Sequence, residues 1–329
     1  MNVTGRWVQT RGLIVGIVIV SSLALLSLTI GVYDLSFGSI FGGGEDLQTG
    51  MVLVVSRIPR TIAIILIGIS MSLAGMIMQL LARNRFVSPS TAGTIEAASL
   101  GLLTITIFAP GAPLIVKMVV ASLFALAGTG LFLAILRRIP LRSPLIVPLI
   151  GIMLGGIISS VTTFFAYRYN LLQSLASWTG GDFSRVLQGR YELLWLSGAL
   201  TLIAFIAADR FTVAGLGEAF TQNLGLNYRQ VLALGLSIVS VVTAVNVVTV
   251  GAIPFLGLIV PNIVSMLFGD NVRRTAPWVA LFGAGFVLVC DILSRVLRYP
   301  YEIPIGTVVG VVGSALFLYL LLRKSTRVG

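Results

Sequence analysis

The chain has 329 residues, of which 57% are hydrophobic and only 10% are charged, and its formal net charge is +11. A soluble domain carries about 25% charged residues, so this composition excludes a chain that water surrounds on all sides. There is no histidine and a single cysteine, Cys290, which excludes the usual zinc and transition-metal sites and a histidine-ligated haem.

Ten apolar stretches predict transmembrane helices, because a helix needs roughly 20 apolar residues to cross the hydrocarbon core and lipid offers its backbone no other partner. They cover residues 12–33, 55–81, 92–109, 114–136, 144–166, 191–208, 230–249, 252–268, 277–297 and 304–322. The eighth is short and contains Pro254 and Pro261, so we expect a broken or tilted helix there. The predicted fold is all-α, a single polytopic membrane domain over residues 1–329.

The distribution of Lys and Arg predicts the orientation. These residues are more frequent in the segments that are cytoplasmic when the N-terminus is inside, which predicts that both termini lie in the cytoplasm. The same bias, together with anionic lipid, accounts for most of the net charge. The basic residues are scattered over short loops, so we expect no nucleic-acid partner.

Four polar segments interrupt the apolar pattern. The first, residues 57–101, begins with two arginines at the outer end of the second span and ends in a polar turn that contains Pro89. The second, residues 215–230, is an insert on the inner side. The third and fourth cover residues 250–277 and 290–306. No phosphate-binding loop of the type GxxxxGK[ST] and no nucleophile–base pair is present, so we predict no catalytic residue and expect energy from an ion gradient or another subunit.

These segments resemble the permease family of ATP-binding-cassette importers for siderophore iron, haem and cobalamin, the FecCD-like permeases. The matching residues are RIPR at 57–60, AGMIMQ at 74–79, RNRFVSP at 83–89, GAIPFLGLIVPN at 251–262, and Asp291 and Arg295 followed by EIPIG at 302–306. The chain departs from the family pattern at residues 84–87, NRFV instead of NPLA, and at Asn262, where the family has histidine. The variant RNRFVSPSTAGT resembles the branch for catecholate or mixed-ligand siderophores.

The resemblance implies an architecture and a function. Spans two to five and seven to ten would form two inverted halves. The chain would be the permease subunit of an ATP-driven importer that moves a ferric siderophore across the bacterial cytoplasmic membrane by alternating access. The alternatives are a haem or cobalamin importer permease, or an ion-coupled secondary carrier, for which only Glu96 and Asp291 offer carboxylates near the membrane interior.

The resemblance also implies partners. They are a second permease chain (a different paralogue or an identical copy), two cytoplasmic ATPase subunits, an extracytoplasmic substrate-binding protein, the ferric siderophore and membrane lipid. ATP and magnesium would be bound by the ATPase subunits, and this chain would hold no cofactor or metal of its own.

Roles for individual residues follow from the same resemblance. The insert at about 209–230 would contact an ATPase subunit through Gly217, Glu218, Ala219, Leu224 and Gly225. The binding protein would dock on Arg57, Arg60 and Arg298, for which the alternative role is anchoring to lipid headgroups. The pathway would be lined on the fifth span by Ser159, Ser160, Thr162 and Thr163, for which the alternative is helix packing.

Two carboxylates remain. Asp291 and Arg295 are four residues apart on one helix face, which predicts a structural ion pair. Glu96 lies near Arg83 and Arg85 in sequence, so we interpret it as a structural or gating residue rather than a proton relay.

Overall fold

The computed structural model describes residues 3–31, 47–139, 145–189, 191–269 and 271–325. Within these residues the chain is helical and contains no β-strand. The α-helices are α1 (Val3–Thr29), α2 (Leu47–Val52), α3 (Ile58–Leu81), α4 (Thr94–Phe108), α5 (Leu114–Arg138), α6 (Ile146–Arg168), α7 (Leu172–Thr179), α8 (Leu194–Ile206), α9 (Ala208–Gly215), α10 (Glu218–Asn223), α11 (Tyr228–Thr249), α12 (Leu256–Phe268), α13 (Val272–Val296) and α14 (Ile305–Ser325). A π-helical turn, Leu53–Arg57, joins α2 to α3, and a 3₁₀ turn, Phe183–Arg185, follows α7.

The predicted polytopic, all-α fold is confirmed. Among the described residues, 6 helices are long and apolar enough to cross a membrane, and α8 with α9 forms a further span bent by 65°. Three shorter apolar helices, α4, α12 and the apolar part of α14, occupy the remaining predicted spans. The ends of the first and fifth predicted spans, residues 32–33 and 144, lie outside the described residues.

Helix α3 is the centre of the packing. It contacts α8, α11, α12 and α13, and most of its residues are buried. Small residues let the backbones approach closely, as membrane helices require in the absence of a hydrophobic driving force between them. A Cβ atom built on Gly75 would lie 2.0 Å from the backbone oxygen of Gly257, so only glycine fits where α3 crosses α12.

The helix contacts agree with two related halves. The first helix of one half, α3, packs along α13, and the first helix of the other half, α11, packs along α5. In each case the partner is the third helix of the opposite half. The second helix of each half also contacts the first helix of the opposite half, since α12 contacts α3 and α4 contacts α11.

The structure differs from the predicted spans in two places. The eighth span starts as a helix only at Leu256, because Pro254 donates no hydrogen bond and Phe255 has a left-handed φ of 61°. Pro261 does not break α12. The short helix α7 was not predicted, because residues 172–179 are too few and too mixed in polarity to form an apolar span.

Candidate functional site

The insert, which the predicted orientation places on the inner side, folds as two short helices, α9 and α10, joined by Leu216 and Gly217. Gly217 has a φ of 111°, which side chains rarely adopt, so glycine permits the sharp change of direction. The hydroxyl of Thr221 is buried and donates to the backbone oxygen of Gly217 over 2.7 Å. Asn227 accepts hydrogen bonds from the first turn of α11 and ends the insert. The insert is therefore a defined structure rather than a loose loop.

An apolar stripe covers the outer surface of this insert. Leu216, Phe220 and Leu224 are 59%, 60% and 61% exposed, and they follow one another at intervals of four residues. Glu218 and Ala219 are also exposed, whereas Gly217 is buried. Neither Leu216 nor Phe220 was predicted from the sequence. Phe220 lies four residues before Leu224, a spacing that could have revealed it, whereas Leu216 lies before the bend at Gly217, across which helical spacing does not apply.

The insert is joined to the helix bundle on one side. Asp209 on α9 accepts a hydrogen bond of 2.8 Å from Arg273 in the first turn of α13. Gly215 packs against Leu80 of α3, and Gly217 lies close to the guanidinium of Arg83. A displacement of the insert would therefore be transmitted to α3 and α13.

Two of the predicted docking arginines have partners within the chain. Arg57 is 7% exposed and donates to the backbone oxygens of Leu28 and Thr29 at the end of α1. Arg60, with a side chain 12% exposed, binds Asp291 over 2.8 Å and Glu302 over 2.8 Å. Both guanidinium groups thus hold neighbouring elements together in this conformation. Docking by these two residues stays a prediction that the contacts do not test.

Asp291 lies at the centre of this outer network and its side chain is 0% exposed. Its two oxygens bind Arg60 and Arg295, and the predicted pair with Arg295 is present in the structure. Arg295 also donates to the backbone oxygens of Ser27, in the last turn of α1, and of Ile30, just after this helix. One buried carboxylate therefore connects α13 to α3 and, through Arg295, to the end of α1.

Arg298, the third predicted docking residue, is in a different environment. It is exposed, and its guanidinium carbon lies 5.8 Å from the centre of the Tyr301 ring. Tyr299 and Tyr301 are 59% and 69% exposed beside it. The exposed cation beside the Tyr301 ring offers an accessible surface just after the C-terminal end of α13.

A cavity of about 440 Å³ lies between α4, α6, α7 and the segment before α12. Three of the predicted pathway residues, Ser159, Thr162 and Thr163, line it. Ser160 does not, and its exposed hydroxyl donates to the backbone oxygen of Gly156 over 2.8 Å. Ala252 and Pro254 line the opposite wall, where the chain has left the helical conformation.

Glu96 lies in the first turn of α4 and lines the same cavity. Its carboxyl carbon lies near Gly155 of α6, where a Cβ atom would be 3.3 Å away. It forms no ion pair with Arg83 or Arg85, which the sequence placed near it. The described residues contain no group of at least 3 His, Cys, Asp or Glu side chains that could hold a metal ion.

Comparison with known proteins decides the family. The profile of the FecCD transport family matches residues 17–323. The chain belongs to the FecCD transport family. Members of this family are transport permease subunits and not enzymes, and the resemblance stated from the motifs is confirmed.

Two relatives match nearly the whole of this chain. The petrobactin import system permease protein YclN of Bacillus subtilis (strain 168) is 52% identical over 303 residues, which is 92% of this chain and 95% of the relative. The petrobactin import system permease protein FatD of Bacillus anthracis is 44% identical over 318 residues, covering 96% of this chain and 92% of the relative.

A solved structure agrees with the fold. It is described as an inward-facing conformation of a metal-chelate type ABC transporter, with a TM-score of 0.81 and 25% identity. The match covers 95% of this chain and 99% of that chain. These findings do not favour an ion-coupled secondary carrier.

Proposed function

We propose that this FecCD permease carries a ferric siderophore of the petrobactin class across the cytoplasmic membrane, as one subunit of an ATP-driven importer that works by alternating access. The observation that supports this most strongly is the 52% identity to a petrobactin import permease over 92% of the chain. Haem and cobalamin are the competing substrates within the same family.

The importer would contain further subunits. Two ATPase subunits bind ATP and magnesium on the cytoplasmic side, and a substrate-binding protein delivers the siderophore from outside. A second permease, a paralogue or an identical chain, completes the pathway along α6. Helix α6 buries one stripe of residues and exposes large apolar side chains such as Ile152, Ile157 and Phe164, a face that lipid or this partner would cover.

The geometry suggests how ATPase movement reaches the outer side. The apolar stripe of Leu216, Phe220 and Leu224 would lie in a cleft of the ATPase. Displacement of the insert would move α13 through the packing of α9 against it, beside the contact between Asp209 and Arg273. Near its other end the same helix carries Asp291 and Arg295 of the outer network. Helix α13 thus acts as a rigid link between the ATPase and the face that receives the binding protein.

The experiment that tests this function uses the complete importer in lipid vesicles with the binding protein and either ferric petrobactin, haem or cobalamin. We expect ATP-dependent uptake of the ferric siderophore and none of the other two. The purified permease alone should hydrolyse no ATP, because it has no phosphate-binding loop. Uptake of haem or cobalamin in preference to the siderophore would contradict the proposed substrate, and uptake without ATPase subunits would contradict the proposed class.

A further inference from the structure

The cavity beside α6 contains two polar atoms for which the described residues supply no hydrogen-bond partner. Glu96 Oε2 and Ser99 Oγ are buried, and neither has a hydrogen-bond partner. Ser99 is 3% exposed and lines the cavity one helical turn beyond Glu96. Buried polar groups are normally hydrogen-bonded to protein or water, so two unpartnered atoms in one cavity leave room for water or a ligand that supplies the missing donors or charge.

The other polar residues that line the cavity carry neutral hydroxyl groups. Besides Glu96 and Ser99, five hydroxyl residues line the cavity, Ser90, Ser159, Thr162, Thr163 and Thr179, and the remaining lining residues are aliphatic or proline. The Thr162 hydroxyl donates its proton to the backbone oxygen of Ile158, which leaves its oxygen free to accept. The cavity thus offers several neutral oxygens and one carboxylate.

The charge of the cavity is not balanced. No Lys or Arg lines it, and Glu96 forms no ion pair with any described residue. The buried carboxylate of Asp291 shows the contrast, because two guanidinium groups compensate it. A carboxylate that is removed from water needs a cation or a proton, and intramembrane carboxylates are functional by default.

We propose that this cavity binds a monovalent cationic group during transport, with the Glu96 carboxylate as counter-ion and Ser99 and the threonine hydroxyls as hydrogen-bond acceptors. This inference rests on the proposed transport function. The group is either a protonated amine of the substrate or an inorganic monovalent cation. One carboxylate among neutral oxygens suits a single positive charge, whereas Ca²⁺ and Mg²⁺ sites use more carboxylates or retained waters.

The position of the cavity gives this site a role in selecting substrate. Glu96 lies against Gly155 on α6, the helix on which the predicted pathway residues lie. A cationic group that enters the cavity would therefore be held at the wall of the pathway. A neutral chelate of the same shape would leave the carboxylate without a partner, which is unfavourable.

The test compares two ferric catecholate chelates that differ in one primary amine, free in one and acetylated in the other. Uptake of both is measured in vesicles that contain the complete importer, for the native chain and for Glu96→Gln, which keeps the shape and removes the charge. Thr104→Val, on the same helix but outside the cavity, is the control. A second set of vesicles replaces sodium and potassium salts with isosmotic sucrose.

For an amine ligand, the native chain should prefer the free-amine chelate by about tenfold, as expected for a charged hydrogen bond, and Glu96→Gln should lose this preference. If the ligand is an inorganic cation, replacing the sodium and potassium salts with sucrose should slow the uptake of both chelates by the native chain and by Thr104→Val. It should not slow uptake by Glu96→Gln. Equal uptake of both chelates by the native chain, with no effect of sucrose, would overturn the proposal.

A measurement on the native chain covers the case in which Glu96→Gln does not assemble. A hydrophobic carbodiimide should label Glu96, and either the free-amine chelate or sodium should reduce this label, as read by mass spectrometry. Asp291, which is already paired, serves as the internal reference. A label on Glu96 that no cation reduces would overturn the cation site. Failure of the transport proposal itself is distinguishable, because neither chelate would then enter at all.

Discussion

Asp291 shows how a single buried carboxylate stabilises the outer end of the molecule. It pairs with Arg60, which Glu302 also binds, and with Arg295, and its side chain is 0% exposed. Removing one partner from a buried ion pair leaves an uncompensated charge, which is costly, whereas exposed pairs contribute little. The described residues contain both kinds, the buried pairs at Asp291 and the exposed pair of Asp209 and Arg273.

We expect Asp291→Asn to lower the free energy of unfolding by about 3–5 kcal/mol, because it leaves two buried guanidinium groups without their shared counter-ion. Asp209→Asn is the matched control, since Asp209 and Arg273 are 62% and 73% exposed. It should leave stability unchanged. Thermal unfolding of the purified permease in detergent measures both. Equal stability of the two variants would show that the outer network is not structural.

Arg298 is the predicted docking residue that is open to a partner. We expect Arg298→Glu to weaken binding of the binding protein and to lower its association rate most at low salt, because long-range steering is screened by ions. Arg185→Glu is the control, since Arg185 is also exposed but lies beside Asp182. Association rates measured at two salt concentrations distinguish the docking role of Arg298 from the headgroup-anchor role. Unchanged rates in Arg298→Glu would favour the headgroup-anchor role.

At the scale of the elements, the insert of α9 and α10 presents an apolar stripe that water would not favour. Gly225, also predicted to contact the ATPase, has a φ of 76° that would strain any larger side chain whatever partner is present, so it is a poor position for a test. Phe220 is the better position, because its ring is 60% exposed and lies between Leu216 and Leu224.

We expect Phe220→Asp to abolish co-purification of the ATPase subunits, since it places a charge in an apolar contact. Phe220→Leu keeps the surface apolar and should retain the complex. Pull-down of the ATPase from solubilised membranes, with equal permease in each sample, is the measurement. If Phe220→Asp keeps its ATPase, the stripe is not the contact surface.

The crossing of α3 and α12 is the tightest helix contact. We expect Gly75→Ala to lower stability by roughly 1–3 kcal/mol, because its Cβ atom meets the backbone of Gly257, which cannot move aside as a side chain could. Gly130→Ala, on α5, has no atom within 4 Å of the added carbon and should not destabilise. Thermal unfolding of Gly75→Ala and Gly130→Ala is the measurement. Equal unfolding midpoints would contradict close backbone packing at Gly75.

At the scale of the whole molecule, the orientation in the membrane stays a prediction. Cys290 is 1% exposed, so the native chain should react little with thiol reagents and provides a clean background. Gln188 and Gln222 are both exposed, before α8 and in the insert respectively.

With the predicted orientation, an impermeant maleimide added to intact cells should label Gln188→Cys and not Gln222→Cys. Permeabilisation should then expose both. Labelling of Gln222→Cys alone in intact cells would reverse the orientation and place the insert on the side opposite to the ATPase subunits.

The amino-acid sequence by itself determined the ten apolar spans, the all-α fold class and the family. These properties follow from local hydropathy and from motifs of adjacent residues, which need no knowledge of distant contacts. The pair of Asp291 and Arg295 was also predictable, because its members are four residues apart on one helix.

Only the tertiary structure decided which partners the outer arginines have and where Glu96 lies. Arg60 meets Asp291 across 231 residues of sequence, and Arg295 meets Ser27 across 268. Glu96 is close to Arg83 and Arg85 along the chain but faces a cavity formed by α6 and α7. Such contacts depend on how helices from distant parts of the chain pack together, and neither hydropathy nor residue spacing contains that information.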